Sequence, residues 1–98
     1  MKQGKIEYNE DKNLLLKETR GVDFSDIIEA LRKGNFLDDL KHSHSKKYPK
    51  QRILVVKIKN YAYAVPYVLD QKKNSIFLKT LYPSRVLTRK YLRKETKS

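Results

Sequence analysis

The chain has 98 residues, enough for one hydrophobic core and too few for two, so residues 1–98 read as a single domain. It contains no cysteine, which excludes disulfides and thiolate metal sites, and no apolar run near the roughly 20 residues that cross a bilayer. The net charge of +12 is lopsided: residues 1–40 carry 7 Lys and Arg against 9 Asp and Glu, whereas residues 41–98 carry 16 against 2, so the basic field belongs to the second half.

The opening residues hold no apolar segment of signal-peptide type, and a cytoplasmic domain is expected. Ile6-Glu7-Tyr8 alternates as a short edge strand, and Asn9 is an N-cap followed by Glu10 and Asp11 in the first turn of a helix. That helix carries Leu14, Leu15 and Leu16 and stops at Gly21. Asp23 caps a second helix, Asp26 completes a capping box, Phe24, Ile27, Ile28 and Leu31 form its buried stripe, and Gly34 ends it. Phe36 to Leu40, around Asp38 and Asp39, suggests a modest strand ending in Lys41-His42-Ser43-His44, followed by a basic loop, residues 45–51.

Residues 52–59 (RILVVKIK) are rich in branched side chains and read as a central strand that turns near Asn60 into residues 61–69. There Tyr61, Tyr63, Val65, Tyr67 and Leu69 share one face, and Pro66 calls for a bulge or an edge because it lacks a ladder donor. Residues 70–74 form a turn and residues 75–82 the next strand; Pro83 stops it and Ser84 caps a helix over residues 85–93, with Val86, Leu87 and Leu92 as its apolar stripe. Residues 94–98 are expected to fray. Helices segregated from a meander of strands describe an α+β sandwich, with an antiparallel sheet of about four strands, two N-terminal helices and one C-terminal helix.

No Gly-rich phosphate loop, HExxH or GxSxG is present, so nucleotide hydrolysis, zinc proteolysis and α/β-hydrolase chemistry have no support. A basic surface interleaved with tyrosines points to a polyanion, nucleic acid before membrane; a lopsided solubilising surface is the alternative. Lys79 sits mid-strand among apolar residues, and the corner after it offers Tyr82, the Ser84 hydroxyl and the Arg85 fork, groups suited to phosphate. His42 and His44, two apart, are candidates for proton transfer or are exposed loop residues; a metal pair lacks a third ligand. Lys47, Tyr48 and Arg52 are candidate RNA contacts, Tyr82 and Tyr91 are candidates for proton transfer or base stacking, and Tyr63 offers either a stacking ring or core packing. No cofactor is called for.

Tyr8-Asn9-Glu10-Asp11-Lys12-Asn13, Gly21-Val22-Asp23-Phe24-Ser25 and Pro83-Ser84-Arg85-Val86-Leu87-Thr88-Arg89-Lys90-Tyr91, in that order, resemble the BrnT family of bacterial toxins. That family shows a W-D-x-x-K-N opening, a G-(I/V)-x-F segment and a closing S-A-R-x-A-T-x-x-E element. Here Tyr8 stands for the Trp, Ser84-Arg85 lacks the intervening small residue, and Lys90 or Tyr91 falls where the family has Glu. The resemblance implies a RelE-like ribonuclease fold and a toxin that inhibits translation by cutting RNA, free or on the ribosome. It also implies a cognate antitoxin, the DNA-binding member of the pair, that neutralises the toxin and joins it in repressing their operon. A metal-independent endoribonuclease using 2′-OH attack is therefore the first expectation, with His42, His44, Lys79, Tyr82, Arg85 and Tyr91 as its catalytic candidates. A non-catalytic, regulatory nucleic-acid binder is the second, and a structural partner for an acidic protein the third.

Overall fold

In the computed structural model, residues 5–41, 44 and 46–92 are described. They form β1 (Lys5–Tyr8), α1 (Glu10–Arg20), α2 (Phe24–Arg32), β2 (Phe36–Lys41), β3 (Gln51–Ile58), β4 (Tyr61–Asp70), β5 (Ser75–Leu78), β6 (Tyr82–Pro83) and α3 (Arg85–Leu92). His42 and the expected frayed tail, residues 94–98, lie outside the described residues.

The first two helices begin where short-range chemistry dictates. The Asn9 side chain accepts from the Lys12 N–H at 2.8 Å, and Gly21, at φ 75°, closes α1 in the left-handed region that glycine enters without steric cost. Asp23 and Asp26 form the expected capping box, with the Asp26 N–H donating to Asp23 at 3.1 Å and the Asp23 N–H donating to Asp26 at 3.0 Å. Burial alone would raise the Asp23 carboxyl, but the Asp26 N–H, the Ser25 and Asp26 side chains and Lys17 together hold it below the usual carboxylate range. Asn13 of α1 accepts the Phe24 N–H at 2.7 Å, which joins the two helices end to end. Of the three leucines of α1 only Leu16 is buried; Leu14 and Leu15 face outward.

The protein is α+β, but its sheet is larger than the expected four antiparallel strands: six strands in one mixed sheet, ordered β1-β5-β4-β3-β2, with β6 also on β4. β1 pairs in parallel with β5, Lys5 opposite Ser75 and Tyr8 opposite Leu78, and so remains an edge strand. No local pattern announces that pairing, because β1 is short and far from β5 in sequence. β3 and β4 form a hairpin through Lys59 and Asn60, both at positive φ, as a two-residue turn requires.

The strand expected over residues 75–82 is broken in two. Tyr67 pairs with Leu78 but Ala64 with Tyr82, so one extra residue lies between them, a bulge opposite Pro66. Pro66 turns its carbonyl to that side and accepts the Lys79 N–H at 2.8 Å, so its missing donor falls where the ladder is already interrupted.

Alternation along the strands divides the sheet into two faces. Leu54, Val56, Val65, Tyr67 and Leu78 face α1 and α2 and build the main core around Phe24 and Ile27. Val55, Ala62 and Ala64 point the other way and are shielded to 1% exposure or less at the end of the sheet where α3 packs on β4. α3 is held by backbone as much as by apolar contact: the Ser84 N–H donates to the Ala62 carbonyl at 2.9 Å, and the Ala62 N–H to the Thr88 hydroxyl at 2.8 Å. Leu87 and Leu92 are partly buried, whereas Val86, expected in the same stripe, is 70% exposed. No helix among the described residues is long and apolar enough to cross a membrane.

Candidate nucleic-acid interface

α3 roofs only one end of its face of the sheet. Beyond it the strands carry Leu40, Ile53, Pro66 and Val68, all half-buried, and the β5 side of this open half exposes Phe77 and Tyr82, each 41% accessible. Phe77 is paired with Val68 and Tyr82 with Ala64, so both rings lie on the α3 face, about 13 Å apart along β4 at roughly 3.3 Å per residue. Lys79, exposed, sits between them in the bulge. Two ring faces flanking an ammonium group on an open sheet surface offer bases a stacking partner and phosphate a counter-charge.

The far end of this trough is the loop between β2 and β3. There the Lys47 and Tyr48 N–H groups donate to the His44 carbonyl at 3.0 and 2.9 Å, and the Lys47 ammonium lies 5.5 Å from the centre of the Tyr48 ring. Lys46, Lys47, Tyr48 and Lys50 are exposed. The loop is stitched to β4 by the Leu69 N–H on the Lys50 carbonyl at 2.9 Å. Ser84 is bonded to Ala62, seven residues back along β4, which puts Ser84 and Arg85 about 23 Å from that junction. His44, Lys47 and Tyr48 therefore stand at one end of the face and Arg85 at the other, with Lys79 and Tyr82 between.

The remaining candidates have other partners. Arg52 lies on the α1–α2 face, where its Nε–H donates to Asp39 Oδ1 at 3.0 Å and its Nη2 group to the Asp39 carbonyl at 3.1 Å; that bond with Asp39 holds its pKa above the ordinary value. The Tyr67 hydroxyl, on the same face, donates to both Asp39 oxygens at 2.9 Å. Burial, then the bond to Asp39, push that phenol up to about 12. Tyr63 also belongs to the α1–α2 face, packed against the core, with its ring edge-on to Tyr61 at 6.3 Å. Tyr91 reaches from the last turn of α3 to donate its hydroxyl to Asp38 on β2, a bond that raises the Tyr91 phenol and lowers the Asp38 carboxyl. Ser84 caps α3, its hydroxyl accepting the Leu87 N–H at 3.1 Å.

Arg52 and Tyr63 are thus turned away from the face that carries Lys79 and Tyr82, and Tyr91 fastens a helix. Sequence reasoning missed Phe77, whose exposure follows from the alternation of β5 once Leu78 is assigned to the core. The α1–α2 face has a concavity of about 760 Å³ whose lining is mostly apolar, with one cation, Lys5, against Asp39 and Asp70, so it offers phosphate no basic cluster. Among the described residues no group of three or more His, Asp or Glu side chains is arranged to hold a metal ion. Comparison with protein-family models, with curated proteins and with solved structures returns no match to this chain.

Proposed function

We propose that the open half of the α3 face binds single-stranded RNA and that the protein is a RelE-like, BrnT-like toxin that cleaves it. The observation that carries this reading is the exposure of Phe77 and Tyr82 on either side of Lys79, on a sheet whose second half is strongly basic. Aromatic stacking contributes about 1–3 kcal/mol per base, and each neutralised phosphate adds a salt-dependent term.

In the cleavage this reading requires, a ribose 2′-OH loses its proton to a base and attacks the adjacent phosphorus. The bond to the 5′ oxygen breaks, and an acid protonates the departing oxygen. Lys79 faces the charge that builds on the phosphorane, and the Tyr82 hydroxyl is the nearest proton-transfer group along the strand. Tyr91 suits proton transfer less well, because its hydroxyl is committed to Asp38 and its pKa is raised. Cognate antitoxin is the protein partner this function calls for, and expression of the toxin without it is expected to arrest growth.

Incubating the purified protein with single-stranded RNA in EDTA tests the proposal. Cleavage products ending in a 2′,3′-cyclic phosphate are expected, lost in Lys79→Ala, and the same variant should relieve growth arrest; uncut RNA with and without ribosomes would contradict cleavage. One observation favours a second reading, a non-catalytic regulatory binder: the loop bearing His44 and the corner bearing Arg85 lie about 23 Å apart by strand geometry and do not meet over one phosphate. Salt-sensitive binding without cleavage is its signature.

A further inference from the structure

We propose that the recess between α3 and the β3–β4 turn is a second phosphate seat, formed by Arg85 and Arg89, for the same RNA strand whose bases lie on Phe77 and Tyr82. This rests on the reading of the α3 face as an RNA surface. It separates Arg85 from Lys79, with which the sequence groups it.

The recess measures about 240 Å³ and is lined by Asn60, Tyr61, Arg85, Thr88, Arg89 and Leu92. Arg85 and Arg89 are one helical turn apart, so their side chains lie over the same stretch of surface. Among the described residues neither takes part in an ion pair; the ion pairs are Lys17–Asp23, Arg32–Glu29 and Arg52–Asp39. Two guanidinium groups at that spacing repel each other, and an anion between them relieves the repulsion while accepting from both forks.

The walls are set before any ligand arrives. Thr88 spends its hydroxyl on the Ala62 N–H at 2.8 Å and on the Ser84 carbonyl at 2.7 Å, which fixes how α3 sits over the sheet. Asn60, at φ 66°, belongs to a tight two-residue turn with little freedom to move. A polar rim, two uncompensated cations and a rigid wall suit one phosphate.

The seat also continues the trough. Chain runs directly from Tyr82 and Pro83 through the Ser84 cap into Arg85, so a strand stacked on Tyr82 passes the recess next. The Lys79 and Ser84 N–H groups bond carbonyls four residues apart on β4, Pro66 and Ala62, a backbone separation of about 13 Å between Lys79 and the start of α3. The recess lies further still, beside Asn60 and Tyr61, and the two seats are assigned to different phosphates of one strand. An acidic protein segment would be drawn to the same guanidinium groups, but it would have no use for the flanking rings.

The test uses 2′-O-methyl oligouridine, which cannot be cut through its 2′ oxygen, and reads affinity against salt. For Arg85→Gln/Arg89→Gln, circular dichroism should match the parent and the slope of log K against log salt should fall by about 0.7, one phosphate on a single strand. If the double variant keeps the parental slope on the long probe while Lys79→Ala loses affinity, the second seat is wrong and the RNA face stands. If neither variant changes binding, the RNA reading itself fails. Loss of binding to polyglutamate with unchanged RNA binding would assign the recess to an acidic protein and overturn the proposal.

Discussion

Two adjacent residues on an edge strand, Asp38 and Asp39, hold both faces of the sheet. Because successive side chains point to opposite sides, Asp39 accepts from Arg52 and Tyr67 on the α1–α2 face, and Asp38 accepts from Tyr91 on the other. In the sequence they interrupt a weak strand and have no evident task. Their partners are remote, Tyr67 by 28 positions and Tyr91 by 53, so no local pattern could show them. Arg52 alone is near in sequence, 13 positions from Asp39 across the same hairpin. Tyr67 is 4% exposed, so Asp39→Ala, which leaves its hydroxyl without an acceptor, is expected to destabilise the fold by about 1–3 kcal/mol in urea unfolding. The same tyrosine gives a pH dependence. Its folded-state pKa is raised from 10.0 to about 12, so its contribution is fully present below pH 10 and is lost as pH rises toward 12. Urea midpoints measured across that window should fall more steeply for the parent than for Tyr67→Phe; parallel curves would remove Tyr67 from the account.

Element by element, what depends on near neighbours in sequence was legible and what depends on the sheet was not. Asn9, Asp23 with Asp26, Gly21 and Ser84 all act within a few residues, and each does what its chemistry predicts. The parallel docking of β1, the exposure of Leu14 and Leu15, and the side of the sheet taken by α3 depend on distant partners. Thr88 shows the difference: on a helix it looks like a surface residue, yet it accepts the Ala62 N–H and fastens α3 to β4. Thr88→Val keeps the shape and removes the acceptor. It is expected to cost about 1–3 kcal/mol and to speed amide exchange in α3 ahead of β3 and β4. Asp23→Ala should cost about 0.5–2 kcal/mol through the lost cap. Its folded pKa is lowered, so the cap contributes above the ordinary value of 3.8 and is lost as pH falls through the folded value.

At the scale of the molecule the charge asymmetry was readable from composition, but its geometry was not. Residues 41–98, with 16 basic side chains, supply both a structural network on one face and an exposed trough on the other, and only the pairing register separates them. Arg52 and Tyr63 look like Lys79 and Tyr82 in sequence; alternation across β3 and β4 turns them to the α1–α2 face. The trough that remains runs from the loop at Lys47 and Tyr48 past Phe77, Lys79 and Tyr82 toward the Arg85 corner. Bases are proposed to stack there, on the Phe77 and Tyr82 rings. The most direct check is the affinity of 2′-O-methyl oligouridine for Phe77→Ala/Tyr82→Ala at fixed salt, with folding verified by circular dichroism. Binding at least about tenfold weaker than the parent is predicted; parental affinity in a folded double variant would contradict it.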